Sequence, residues 1–206
     1  MRFRNVWILF LTACSLFAAE KTQQFDFVPG GLLRLENSRG ALTIEAWDKS
    51  IIELSTRSSN SATAITAERH GNELVVTTVV PKRSHETGVS YHLWVPRETR
   101  LAIHHRGGEV NVEGVAADIE ASLRHGDIFL YLPADVPFTT NALTKIGSIN
   151  VPGDPSLRPT YLHFGRRLAQ PAAPNSHVLK LKAGYGDIYV LRETPAPPPQ
   201  TKSATN

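Results

Sequence analysis

Five copies of one strand–turn–strand pattern constrain the fold of this 206-residue chain more than any other feature of its sequence. Each copy has a pair of residues at positions i and i+2, then a glycine-containing turn, and then a second such pair that begins nine residues after the first. Nearly all of the paired residues are apolar. The period of two is that of a β-strand with one buried face. Such repetition is typical of stacked β architectures rather than catalytic pockets. The copies are Leu33/Leu35 with Leu42/Ile44, Leu101/Ile103 with Val110/Val112, Ile119/Ala121 with Ile128/Leu130, Thr140/Ala142 with Ile149/Val151, and Leu179/Leu181 with Ile188/Val190.

The turns inside the copies carry glycine, which adopts a positive φ at little cost. From Gly107 onward, the predicted turn glycines are separated by nearly constant steps of 19 and 21 residues, followed by one of 39. Gly165 divides that last interval into 18 and 21 residues, so we interpret it as part of a degenerate copy. The predicted turn glycines of the five copies are Gly40, Gly107, Gly126, Gly147 and Gly186.

The pattern predicts an all-β fold: a single-stranded β-solenoid-like stack of about 20-residue repeats, with an antiparallel section near residues 50–95. That section interrupts the repeat, and His70-Gly71-Asn72 within it reads as a hairpin connection. Hairpins of an antiparallel meander or sandwich also satisfy the pattern. The nearly constant step of about 20 residues favours the solenoid.

The turn motifs resemble a known family. Glycine, a spacer and an alternating apolar pair recur in Gly107–Val112, Gly126–Leu130, Gly147–Val151 and Gly186–Val190, and Leu33–Gly40 is similar. Together they resemble the bacterial putative-adhesin family of unknown function, which includes head-domain β-solenoids of the putative auto-transporter adhesin type. The resemblance covers roughly residues 30–192 and implies an envelope-associated or secreted β-solenoid without known catalytic residues. The segment 50–95 and the proline-rich insertions depart from that family.

Both ends of the chain differ in composition from its centre. Residues 1–19 combine Arg2 and Arg4 with a short apolar stretch and small residues before Glu20, as a secretory signal peptide does. Residues 194–206 are rich in proline and small polar residues, which predicts a disordered tail. We therefore expect an adhesin-like β domain at 20–193 and export to the periplasm, the outer envelope or the extracellular space.

The single cysteine, Cys14, lies inside the predicted signal. Leu11-Thr12-Ala13-Cys14 resembles a bacterial lipobox, in which the cysteine is lipidated, although the apolar stretch before it is short. Ordinary cleavage near Ala18 or Ala19 is the other interpretation. In either case the segment 20–193 has no disulfide and no thiolate metal site.

Charge and histidine content indicate neither a nucleic-acid partner nor a cofactor. Removal of the signal lowers the formal net charge from +3 to +1, whereas nucleic-acid binding usually needs a concentrated basic face. His104-His105 and His125 precede two turns that stacking would bring together, but no carboxylate or cysteine stands at ligand spacing beside them. We therefore predict no metal and no cofactor. The eight histidines are His70, His85, His92, His104, His105, His125, His163 and His177.

Two aspartates are the only candidates for acid–base chemistry. Asp127 and Asp187 each follow a turn glycine, and a pair of nearby carboxylates is the apparatus of glycoside hydrolysis. Aspartate after glycine is also an ordinary turn residue. The matching positions in the other copies are Ala41, Glu109 and Ser148, so no acidic column runs through the repeat. Serine-hydrolase, phosphate-loop and zinc-protease motifs are absent from the sequence, and we predict no catalytic residue.

Three aromatic residues are the candidate binding residues. Phe129, Tyr131 and Tyr189 alternate away from the predicted core, and Phe129 and Tyr189 hold the same position in their copies. Exposed aromatic rings on a flat β face stack on sugars or anchor protein partners. A covering strand layer or loop is the alternative explanation for them.

We therefore predict an exported, non-enzymatic, adhesin-like surface or interaction module. Its partner is an unknown protein or glycan at the cell envelope, with no nucleic acid, and with a membrane only through a lipid anchor at Cys14. A polysaccharide-acting β-helix enzyme and an envelope-stress sensor or scaffold component are the alternatives.

Overall fold

The computed structural model of this chain describes residues 20–58, 64–79, 89–151, 159–161 and 165–193. Every regular element among them is a β-strand, as predicted, and they contain no helix that is long and apolar enough to cross a membrane. The predicted signal peptide, Cys14, the proline-rich tail, His85 and His163 lie outside the described residues.

Fifteen strands make up the described part of the chain. They are β1 (Glu20–Asp26), β2 (Leu32–Trp47), β3 (Ile51–Ser58), β4 (Ala64–His70), β5 (Glu73–Val79), β6 (Val89–Pro96), β7 (Arg100–Glu113), β8 (Ile119–His125), β9 (Ile128–Leu132), β10 (Phe138–Ile146), β11 (Ile149–Asn150), β12 (Thr160–Tyr161), β13 (Arg166–Ala169), β14 (His177–Tyr185) and β15 (Ile188–Arg192).

The strands form two parallel ladders that are joined by the long strands β2 and β7. The first ladder contains β5 and then the first segments of the five copies, in the order β5, β2, β7, β8, β14 and β10. The second ladder contains β6 and then the second segments of the copies, in the order β6, β2, β7, β9, β15 and β11. The first half of β2 and of β7 therefore belongs to the first ladder, and the second half of each belongs to the second ladder.

The register of the ladders superimposes the five copies on one another. In the first ladder, Leu33 pairs with Leu101, Leu101 with Ile119, Ile119 with Leu179, and Leu179 with Thr140. The second ladder repeats this alignment from Leu42 through Val110, Ile128, Ile188 and Ile149. The buried residues of both ladders belong to one hydrophobic core. Complete burial of each such Val, Leu or Ile contributes about 1.5–3 kcal/mol, which opposes a slip in register.

The predicted solenoid path is not confirmed, because the sheet is mixed and the copies do not stack in chain order. The strand β14 of the fifth copy lies between β8 of the third copy and β10 of the fourth. Antiparallel strands also extend the ladders: β3 and β1 lie beyond β6, β4 lies beyond β5, and β13 and β12 lie beyond β10. The antiparallel section predicted near residues 50–95 is present in the β3–β6 and β4–β5 pairs.

One glycine from each copy lies where the chain bends between the ladders. All five have positive φ, and a Cβ on any of them would overlap the backbone carbonyl oxygen of the neighbouring strand. The structure corrects the predicted glycine of the second copy. Gly108 has φ 120°, and a Cβ added to it would overlap the carbonyl oxygen of Gly40. A Cβ added to Gly107 would lie 3.6 Å from its nearest neighbouring atom. The column consists of Gly40, Gly108, Gly126, Gly186 and Gly147.

The degenerate copy around Gly165 is also corrected. Gly165 has φ 106°, but the strand β13 that follows it runs antiparallel to β10, with Leu168 opposite Ala142. This segment therefore extends the first ladder as an antiparallel strand and is not a further copy of the parallel unit.

Candidate interaction faces

The outer face of the second ladder carries the predicted aromatic residues. Their neighbours Ile128, Leu130 and Val190 are buried, so alternation turns Phe129, Tyr131 and Tyr189 outward. Phe129 pairs with Tyr189, and their rings stack with centroids 4.8 Å apart and planes 4° from parallel. Phe129 and Tyr189 are half-buried, and 36% of Tyr131 is exposed. We call Phe129, Tyr131 and Tyr189 the aromatic ridge.

The geometry of the stack determines what the aromatic ridge offers to a ligand. Each ring of the Phe129–Tyr189 pair covers one face of the other, because the rings come from adjacent strands in register. The edges of both rings and the side chain of Tyr131 therefore remain for contact with a ligand. An apolar edge of this kind suits a protein side chain or the apolar face of a sugar.

Asp127 and Asp187 bond the backbone of adjacent copies. The Oδ1 atom of Asp127 accepts a hydrogen bond from the backbone N–H of Asp187 at 2.7 Å, and Oδ1 of Asp187 accepts one from Ser148 at 2.6 Å. The hydroxyl of Tyr189 donates to Oδ2 of Asp187 at 3.2 Å. The Asp187 carboxylate raises the pKa of the Tyr189 phenol, because it disfavours a second negative charge beside it.

A tryptophan cluster lies on the same outer face and was not predicted. Trp94 on β6 stacks on His92 with centroids 3.8 Å apart, and Trp47 stacks on Trp94 at 6.2 Å. The Nζ of Lys49 lies 4.3 Å from the centroid of the Trp47 ring. The cluster forms because β6 pairs with β2 in parallel, and the sequence pattern did not predict that pairing.

The histidines near the turns have different environments. His105 is 3% exposed, and its Nε2–H donates to the carbonyl oxygen of Gly40 at 3.0 Å. Burial lowers the pKa of His105, because desolvation disfavours the charged ring. His125 instead stacks on Tyr185 at 5.1 Å, and His104 is exposed on the outer face of the first ladder. No group of three or more metal-binding side chains occurs within the described ranges.

Comparison with known proteins identifies the fold. No protein-family model and no curated protein matches this chain. A putative cell adhesion protein from Clostridium sporogenes is similar over 85% of this chain and 100% of its own length, with a TM-score of 0.51 and 13% sequence identity. The shared fold confirms the resemblance to adhesin-type β proteins that the turn motifs predict.

Two further solved structures are more distant. A putative adhesin from Bacteroides fragilis is 9% identical, with a TM-score of 0.32 over 84% of this chain and 97% of its own. A putative adhesin from Parabacteroides merdae is 10% identical, with a TM-score of 0.30 over 82% of this chain and 80% of its own.

Proposed function

We propose that this chain is an exported, non-enzymatic, adhesin-like module that holds a protein or glycan ligand on the outer face of its second ladder. Residues 1–19 direct export, and Cys14 is either removed with them or carries a lipid anchor. The observation that carries this proposal is the aromatic ridge, in which two copies contribute stacked and partly exposed rings at the same position.

The surroundings of the aromatic ridge favour recognition of a ligand. Aromatic side chains contribute large contact areas at interfaces, and they dominate binding energies where they occur. Carboxylates flank the ridge: Glu109 and Glu113 are exposed on β7, and Asp127 and Asp187 lie beside the bend. Hydroxyl or cationic groups of a ligand match these acceptors.

The roles of the two aspartates favour binding over catalysis. One oxygen of Asp127 and one of Asp187 accept backbone N–H groups of the neighbouring copy, which is a structural use. Each carboxylate therefore has a fixed position in the stack. This supports a surface that binds without transforming its ligand.

Replacement of the ridge rings tests the proposal. The double variant Phe129→Ala/Tyr189→Ala removes the stack, and Thr43→Ala/Asn150→Ala removes two side chains from the same outward row without touching an aromatic ring. We expect the purified chain to bind a subset of immobilised glycans or matrix proteins, the first variant to lose this binding at least about tenfold, and the second variant to retain it. Undiminished binding by a folded Phe129→Ala/Tyr189→Ala variant would contradict the proposal, and circular dichroism establishes folding.

A further inference from the structure

The outer face of the first ladder gathers basic side chains that are far apart in the sequence. Alternation turns Lys180 and Lys182 outward on β14, between the buried Leu179, Leu181 and Ala183. Lys182 pairs with Ser122 on β8 and with Leu143 on β10, and Arg167 pairs with Leu143 from β13. The basic residues therefore come from several strands of one continuous surface.

These side chains line one extended groove. Two adjoining depressions of about 440 and 380 Å³ share His104, Ser122, Leu143 and Lys182. Gly184 lines the second depression and approaches β8 so closely that a Cβ would lie 2.5 Å from the Arg124 carbonyl oxygen. The six Lys and Arg residues that line the groove are all exposed: Arg106, Arg124, Lys145, Arg167, Lys180 and Lys182.

Among the residues that line the groove, one carboxylate accompanies the six Lys and Arg side chains. Glu120 lines the groove and lies 3.9 Å from the Nζ of Lys180. The chain as a whole carries a formal charge of only +3, so the groove concentrates positive charge well beyond the average. The cations gathered in the groove repel one another, and an anionic ligand would relieve that repulsion.

We propose that this groove binds a linear acidic polysaccharide, whose carboxylate or sulfate groups pair with the Lys and Arg residues. The groove crosses several strands, so it offers a row of cations to a polymer rather than one pocket to a single anion. Ser122 and Asn141 supply hydrogen-bonding groups for sugar hydroxyls, and Leu143 supplies an apolar contact. The site is separate from the aromatic ridge, which lies on the other ladder.

The residues that line the groove favour an acidic polysaccharide over a nucleic acid as its ligand. Proteins that bind single-stranded nucleic acid combine a basic groove with aromatic side chains on which bases stack. Among the lining residues, the only rings are the imidazoles of His104 and of the buried His105. The exposed tyrosines on the strands around the groove, Tyr161 and Tyr185, are not among its lining residues.

The test uses polygalacturonate, a linear polymer of uronic acid, and the full chain. Titration calorimetry should show binding at about 50 mM salt that weakens steeply by about 200 mM, because ion pairing with a polyanion releases counterions. The variant Arg124→Glu/Lys182→Glu should weaken this binding at least about tenfold and flatten its salt dependence. The control Lys21→Glu/Arg69→Glu makes the same change in net charge on exposed residues of β1 and β4 and should bind as the natural chain does.

Several outcomes would overturn the inference. They are absence of polygalacturonate binding at low salt, equal losses in the two variants, and tighter binding of single-stranded oligothymidylate than of polygalacturonate at equal salt. Thermal unfolding of both variants establishes that they fold. Phe129→Ala/Tyr189→Ala should bind polygalacturonate normally, so failure of the aromatic ridge as a site and failure of the groove are distinguishable.

Discussion

The carboxylate of Asp127 accepts the backbone N–H of Asp187 at 2.7 Å, across 60 residues of sequence. Asp187 repeats the contact toward Ser148 at 2.6 Å, so the third, fifth and fourth copies, which are neighbours in the sheet, are joined at the bend in the same way. Each aspartate follows a column glycine whose tight approach brings the neighbouring backbone within reach. The glycine permits the close stacking, and the aspartate bonds across it.

Loss of this carboxylate should destabilise the stack. Asp127→Ala leaves the N–H of Asp187 without its acceptor, and hydrogen bonds to charged groups contribute about 1.5–3 kcal/mol. We expect a decrease of that order in the free energy of unfolding, measured by urea denaturation. Asp127→Asn keeps the Oδ1 acceptor and should lose less than half as much. Equal stability of Asp127→Ala and the natural chain would show that the bond contributes nothing.

Two adjacent glycines of the second copy should tolerate alanine very differently. Gly108→Ala places a Cβ against the Gly40 carbonyl oxygen at φ 120°, so both strain and overlap oppose it. We expect a loss of at least about 3 kcal/mol or failure to fold. Gly107→Ala meets no atom closer than 3.6 Å and should change stability by less than about 1 kcal/mol. Similar unfolding midpoints for the two variants would contradict the glycine column.

The sequence was sufficient to predict the all-β class and many of the buried apolar positions of the strands. The alternation of Leu33/Leu35 and its counterparts marks buried positions, and those residues do pair across the ladders. The same alignment contained the information to choose Gly108 over Gly107, because every other column glycine lies two residues before the second apolar pair.

The order of the copies and the character of the two faces could not be predicted in the same way. All five copies present the same apolar pattern, so nothing in it determines that β14 lies beside β8 rather than beyond β10. The basic groove depends on that order, since Lys180 and Lys182 reach its centre only because the fifth copy lies between the third and the fourth. The net charge of the chain is close to zero, so it did not indicate the local cluster of Lys and Arg side chains. That cluster forms only when the strands pair.

The Tyr189 phenol should titrate above its ordinary pKa of 10.0, because the Asp187 carboxylate opposes its ionisation. The difference in tyrosinate absorbance between the natural chain and Tyr189→Phe isolates this residue from the other tyrosines. In an Asp187→Asn background the same difference titration should move toward the ordinary value, since the neutral amide exerts no such repulsion. An unchanged titration in that background would assign the raised pKa to another cause.

Acidification should destabilise the fold through His105. Burial lowers its pKa in the folded chain below the ordinary 6.5, and the Arg39 charge acts in the same direction. The unfolded chain then takes up a proton near pH 6.5 while the folded chain does not, so the contribution of neutral His105 is complete above that pH and is lost as pH falls toward the lowered pKa. The slope for one proton is at most about 1.4 kcal/mol per pH unit.

The variant His105→Gln separates this contribution from those of other groups. Glutamine can still donate an N–H to the Gly40 carbonyl, as His105 does at 3.0 Å, but it does not titrate. Urea unfolding between about pH 7.5 and 5 should show a smaller loss of stability on acidification in His105→Gln than in the natural chain. The comparison concerns the dependence on pH, so a uniform offset between the two proteins leaves it intact. Parallel stability curves for the two proteins would mean that His105 is protonated equally in the folded and unfolded chains, and that its burial does not affect its titration.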